Sequence, residues 1–213
     1  MFSALGLNQS ELQSKVNLML AINPIVYLTN SNIEVLNQVG HIYGTFDLLK
    51  YLLENRLQLT EVFNGAKWER ILVCLCSLID CRADFVEELY YKIPRESIGM
   101  KQILHLYQIF KYDDFLLFNY DTVEENMRKY YLPFPPSIPL EEIENVHLGL
   151  IIAKDDTFAS LTDSRRLRDS ISYDMYVEVE GMNHGTLNNR NNPDAFDFIK
   201  EETLSFVSQY AGE

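Results

Sequence analysis

Leu148-Gly149-Leu150-Ile151-Ile152-Ala153 is a short apolar run, followed at once by Lys154-Asp155-Asp156-Thr157. A strand buried on both faces of a parallel sheet reads this way: too short for a typical helix, without polar alternation, and stopped by charge. Towards the amino terminus, Val16-Asn17-Leu18-Met19-Leu20-Ala21-Ile22 is a second such run, ended by Asn23-Pro24. Towards the carboxyl terminus, Tyr173-Asp174-Met175-Tyr176-Val177-Glu178-Val179 alternates enough to predict a strand nearer the sheet edge. The fold class expected is α/β, with these three runs as strands of a parallel sheet.

The long stretch between the first two runs has helical periodicity over 46–55, 68–80, 83–93, 100–110 and 122–131. It reads as a large helical insertion, or cap. Pro133-Phe134-Pro135-Pro136 closes it, because these residues cannot continue a helix. A strand, a helix (162–171), a strand, a loop and a final helix (193–210) then follow in α/β rhythm. The expected organisation is a core segment over residues 1–28, a helical cap over 29–135 and a carboxyl-terminal core over 136–213.

Composition narrows the function. The 213 residues are 47% hydrophobic and 23% charged, as in an ordinary globular protein, and carry a formal charge of -13. With no Lys/Arg cluster to offset that balance, nucleic acid is excluded as a partner. No apolar run approaches the roughly 18 to 20 residues that span a bilayer, so no transmembrane segment is expected. Met1-Phe2-Ser3-Ala4-Leu5 lacks the basic and long apolar regions of a signal peptide, so the chain read by itself would stay in the cytosol. Cys74, Cys76 and Cys81 have a spacing that suits neither zinc nor a disulfide framework, and read as small buried apolar residues. Asn8-Gln9-Ser10 is a glycosylation sequon, relevant only in a secreted protein.

Functional residues of a parallel sheet gather just past the carboxyl ends of its strands. Two loops qualify: Lys154-Asp155-Asp156-Thr157 and Glu180-Gly181-Met182-Asn183-His184-Gly185. They lie one helix and one strand apart, which brings an acid and an imidazole side by side. A carboxylate there would accept the Nδ1 proton, fix the tautomer and assign Nε2 the part of general base, as in serine hydrolases. The order acid, then histidine, agrees with that of α/β-hydrolases. Spacing alone leaves a plainer alternative: Asp155 and Asp156 cap the following turn, and His184 is an ordinary loop histidine.

A longer pattern bears on that choice. Residues 102–115 (QILHLYQIFKYDDF), Phe118-Asn119-Tyr120 and 124–130 (EENMRKY) resemble the cap signature of acid lipases of the lysosomal and gastric type, members of the α/β-hydrolase superfamily. Lys15-Val16-Asn17-Leu18, leading to Asn23-Pro24-Ile25-Val26-Tyr27-Leu28, resembles the entry to that cap. The resemblance runs from Met1 to about Tyr210. It implies a partial α/β-hydrolase fold, the last strands of its sheet plus a helical cap. It also implies that Asp156 is the triad acid, with Asp155 as runner-up, and that His184 is the triad base. Neutral lipid esters, triacylglycerol or sterol ester, are the implied substrates, with no metal or organic cofactor, and family members are usually secreted or lysosomal. Two departures stand out: Ala153 replaces the glycine usual before the acid turn, and Gly185-Thr186-Leu187 replaces a more apolar stretch after the histidine. His105, Tyr107 and Gln108 read as core or capping residues. Trp68 and the aromatics of the cap would line an acyl-chain tunnel or simply pack.

The family's nucleophile is missing. No Gly-x-Ser-x-Gly occurs among the 213 residues, nor any other Ser or Cys on a Gly-flanked strand-to-helix turn. In the resembling lipases that elbow stands a few residues before a segment like Met1-Phe2-Ser3-Ala4-Leu5. The expectation is a chain that is marginally stable and inactive alone. Three readings follow: part of a lipase, a non-catalytic lipid- or partner-binding protein derived from one, or one half of a two-chain enzyme whose partner supplies the amino-terminal half.

Overall fold

A strand with no polar side chain can be satisfied only by apolar cover on both faces, and β2 (His147–Ala153) is buried at every position after His147. The computed structural model describes residues 1–7, 11–31, 100–187 and 192–210. Among them, β1 (Leu18–Ile22), β2 and β3 (Met175–Val179) form one sheet in the order β1-β2-β3, parallel throughout. The register pairs Leu20 with Gly149 and Ile151 with Val177. The α/β reading of the sequence therefore holds, at the level of a small parallel sheet with helices.

The strands differ from expectation in one respect. The apolar run of β1 predicts burial on both faces, yet Leu18, Leu20, Ala21 and Ile22 are half-buried, and only Met19 is buried. The reason is position: among the described residues, β1 pairs on one side only, with β2. The helices expected over 46–55, 68–80 and 83–93 lie outside the described residues, as do Trp68, the three cysteines and the Asn8 sequon.

Helix boundaries follow local chemistry. α1 covers Phe2–Leu7, α2 Met100–Tyr112 and α3 Val123–Tyr130. Thr122 caps α3 by accepting the Glu125 N–H at 3.2 Å, a Ser/Thr-x-x-Glu start, and Tyr131 ends it in the left-handed region at φ 59°. Ser160 caps α4 (Leu161–Asp169) in the same way, through the Asp163 N–H at 3.1 Å. α5 is the single turn His184–Leu187, and α6 runs over Pro193–Tyr210 with Pro193 in the first position, where its missing N–H costs nothing.

The chain divides into two compact units, Met1–Gly40 with Tyr107–Glu213, and His41–Leu106. The sheet belongs to the first. That unit is knitted by buried amides: Gln13 Nε2 donates to Leu5 O (3.1 Å) and Glu142 O (2.9 Å), while its Oε1 accepts from Glu144 and Asn145 N–H. Gln108, expected from the sequence as a core or capping residue, exchanges two hydrogen bonds with the Asn119 backbone. Asn119 in turn accepts from Asn126 Nδ2 at 2.9 Å. Arg166 of α4 lies 4.0 Å over the Tyr27 ring and reaches Asp113, so the segment after β1 is held against α4.

α6 and the neighbouring strands crowd β2 at Gly149, where a larger residue would make side chains shift. A Cβ there would stand 2.7 Å from Leu20 Cδ1, 2.9 Å from Phe206 Cε1 and 3.1 Å from Met175 Cε. Gly149→Ala is expected to lower stability by about 1 to 3 kcal/mol, as overpacked cores do, measured by urea unfolding.

On the α4 side, Arg165 grips Glu178 of β3 with both Nε (2.7 Å) and Nη2 (2.8 Å), and Tyr176 adds a third bond. The hydrogen bond from Arg165 holds the Glu178 carboxyl at about 2, below its ordinary 4.5. A depressed acid contributes stability that is present above pH 4.5 and is lost as pH falls towards 2. Glu178→Gln should flatten that acid limb relative to the parent, read from unfolding midpoints across the same pH window.

Candidate active site

The carboxyl ends of β2 and β3 lie side by side because the strands are parallel neighbours, and their exits are stitched together by backbone. Lys154 N–H donates to Val179 O at 2.8 Å, and Asp155 N–H to Met182 O at 3.1 Å. The chain then turns back, with Asp156 N–H meeting Ala153 O at 3.3 Å. On the β3 side, Gly181 takes φ +68°, a left-handed conformation that glycine adopts without steric cost.

Asp156 is buried, with no exposed side-chain surface. Its Oδ1 accepts the Phe158 N–H (2.7 Å) and the Ala159 N–H (2.9 Å), which spends one oxygen on the turn. Its Oδ2 is thereby aimed at His184, whose Nδ1 lies 2.7 Å away. The capping role and the histidine contact, alternatives at the level of sequence, coexist in one carboxylate. Asp155 is exposed and contributes its backbone N–H to the loop instead.

His184 stands at the first position of α5, where the sequence predicts loop. Asn183 caps that turn, its Oδ1 accepting from Thr186 N–H (2.9 Å) and Thr186 Oγ1 (3.0 Å). Leu187 pins the other end in a cluster with Ile151, Ala153 and Val179. The Phe158 ring meets the imidazole edge-on, with centroids 5.4 Å apart at 80°. The His184 side chain keeps 35% of its surface exposed, whereas that of Asp156 has none. With a carboxylate on Nδ1, that nitrogen carries the proton and Nε2 is the basic atom, an arrangement suited to taking a proton from a nucleophile and returning it to a leaving group.

No protein-family model matches the chain, and no curated protein is significantly similar to it in sequence.

A second buried acid, Asp163, is accounted for structurally: Asn30 donates to both its oxygens at 2.8 Å, and Ser160 adds a bond at 2.9 Å. His105, Tyr107 and Gln108 lie on α2, with Tyr107 and Gln108 buried. Phe158 and Asn23 are site neighbours that sequence reasoning passes over. Asn23 sits just past β1 with φ 44°, and its Oδ1 accepts the Ala153 N–H at 2.7 Å. Asn tolerates the left-handed region better than most residues, which is the one local hint its sequence position offers. Among the described residues, no cluster of three or more His, Cys, Asp or Glu is placed to hold a metal, and no helix is long and apolar enough to cross a membrane.

The two jobs of Asp156 separate by substitution. Asp156→Asn keeps an oxygen for the Phe158 and Ala159 amides and should cost under about 1 kcal/mol, whereas Asp156→Ala orphans both amides and should cost about 2 to 4 kcal/mol. Chemical denaturation of the two variants beside the parent chain measures the difference.

Proposed function

We propose that this chain is the carboxyl-terminal part of a lipase of the acid-lipase kind, hydrolysing carboxylic esters of neutral lipids on an α/β-hydrolase scaffold with a helical cap. The observation that carries the reading is the Asp156–His184 pair, held at 2.7 Å on adjacent strand-end loops of a parallel sheet. In the proposed reaction a serine attacks the ester carbonyl while His184 Nε2 takes its proton. Asp156 stabilises the imidazolium without itself becoming protonated. His184 then protonates the departing alcohol, and water, activated by the same imidazole, releases the fatty acid. The serine and the amides of an oxyanion hole have to come from polypeptide outside residues 1–213, since no Gly-x-Ser-x-Gly lies within them.

That same lack favours a second reading, a non-catalytic lipid- or partner-binding protein derived from such a lipase. A third, a two-chain enzyme, differs from the first only in where the elbow is encoded.

The coding sequence next to Met1 discriminates among them: an in-frame Gly-x-Ser-x-Gly is the expected finding, and an in-frame stop codon there would sink the one-chain reading. The chain alone should not turn over p-nitrophenyl butyrate or emulsified triacylglycerol. Joined to an elbow-bearing half it should do so. In that enzyme His184→Ala is expected to lower kcat by about 10⁶-fold and Asp156→Asn by about 10⁴-fold.

A further inference from the structure

Asn23 is an expensive residue for its place. It is buried, with 3% of its surface exposed, and adopts φ 44°, where glycine would fit with less strain. Its Nδ2 is buried without a hydrogen-bond partner. The amide cannot be turned over to relieve this, because the atom facing the Ala153 N–H at 2.7 Å must be an acceptor, which fixes Oδ1 there and Nδ2 away from it. Buried polar groups are almost always paired, so the one bond that this side chain does make is its evident contribution.

That bond falls at a sensitive point. Ala153 is the last residue of β2, and its carbonyl receives the Asp156 N–H that closes the acid turn. Asn23 N–H donates to Ile151 O at 2.8 Å, so the residue takes up two successive backbone positions of β2 immediately before the turn. This end of the strand is thus held by the side chain of the residue that follows β1.

We infer that Asn23 is a positioning residue for the acid–base pair: through the Ala153 N–H it fixes the start of the acid turn, and so the aim of Asp156 Oδ2 at His184 Nδ1. The inference rests on the proposed reading for its meaning in catalysis, but its test reads the hydrogen bond and not turnover, so either can fail alone.

The experiment is nuclear magnetic resonance on the full chain with ¹⁵N-labelled histidine, at mildly alkaline pH where imidazole is neutral. The parent should show His184 as the Nδ1–H tautomer, with a downfield Nδ1–H proton. Asn23→Gly keeps the left-handed backbone and removes only the side chain. It is expected to lose the downfield proton and shift the ring nitrogens towards the mixed tautomers of free imidazole. A lower melting temperature with an unchanged His184 tautomer would make Asn23 merely structural and overturn the inference. Should Asn23→Gly fail to fold, the parent labelled uniformly with ¹³C and ¹⁵N carries the test: scalar coupling across the hydrogen bond between Ala153 ¹⁵N and Asn23 ¹³Cγ is expected, and its absence removes the contact and overturns the inference.

Discussion

The burial of β2 on both faces is the constraint from which the rest of the unit follows. A strand reading Leu-Gly-Leu-Ile-Ile-Ala cannot stand at a solvated face, so it recruits a neighbour on each side and helices above and below. The tight approach of Phe206 to Gly149 is one result. The parallel arrangement is another, and it matters more for chemistry. Because both β2 and β3 end at the same margin of the sheet, their exit loops are forced together, and a side chain from each can meet within hydrogen-bond distance.

The acid turn illustrates how one carboxylate serves structure and proton transfer at once. Two backbone N–H groups fix one oxygen and leave the other with a single direction to point. The histidine is held differently, by a capped single turn and one buried leucine, and keeps a third of its surface towards solvent.

Sequence patterns made the sheet and the candidate pair legible because both depend on local regularities. Apolar runs of five or six residues mark buried strands, and an acid and a histidine directly after them mark strand-end loops. Thr122 and Ser160 likewise announce helix starts by chemistry confined to one turn. What could not be read depends on long-range partners. Nothing near Gln13 announces that its amide would join α1 to residues 142–145. Asn23 looks like half of an Asn-Pro strand stop, and its bond to Ala153 is invisible without the fold. The half-buried state of β1 was equally hidden, since an apolar run reports what a strand can tolerate and not where it lies in the sheet.

The register between β1 and β2 also bears on how such a chain is made. Asn23 and Ala153 are 130 residues apart in sequence, yet bonded in the fold. At ribosomal rates of roughly 5 to 20 residues per second, β1 leaves the ribosome on the order of ten seconds before β2 has been synthesised. During that interval β1 lacks the strand with which it pairs among the described residues. β2 and β3, separated by a single helix, can pair soon after they emerge. The β1–β2 pairing is therefore expected to follow synthesis by a long delay that the β2–β3 pairing does not share, and the bond from Ala153 to Asn23 with it.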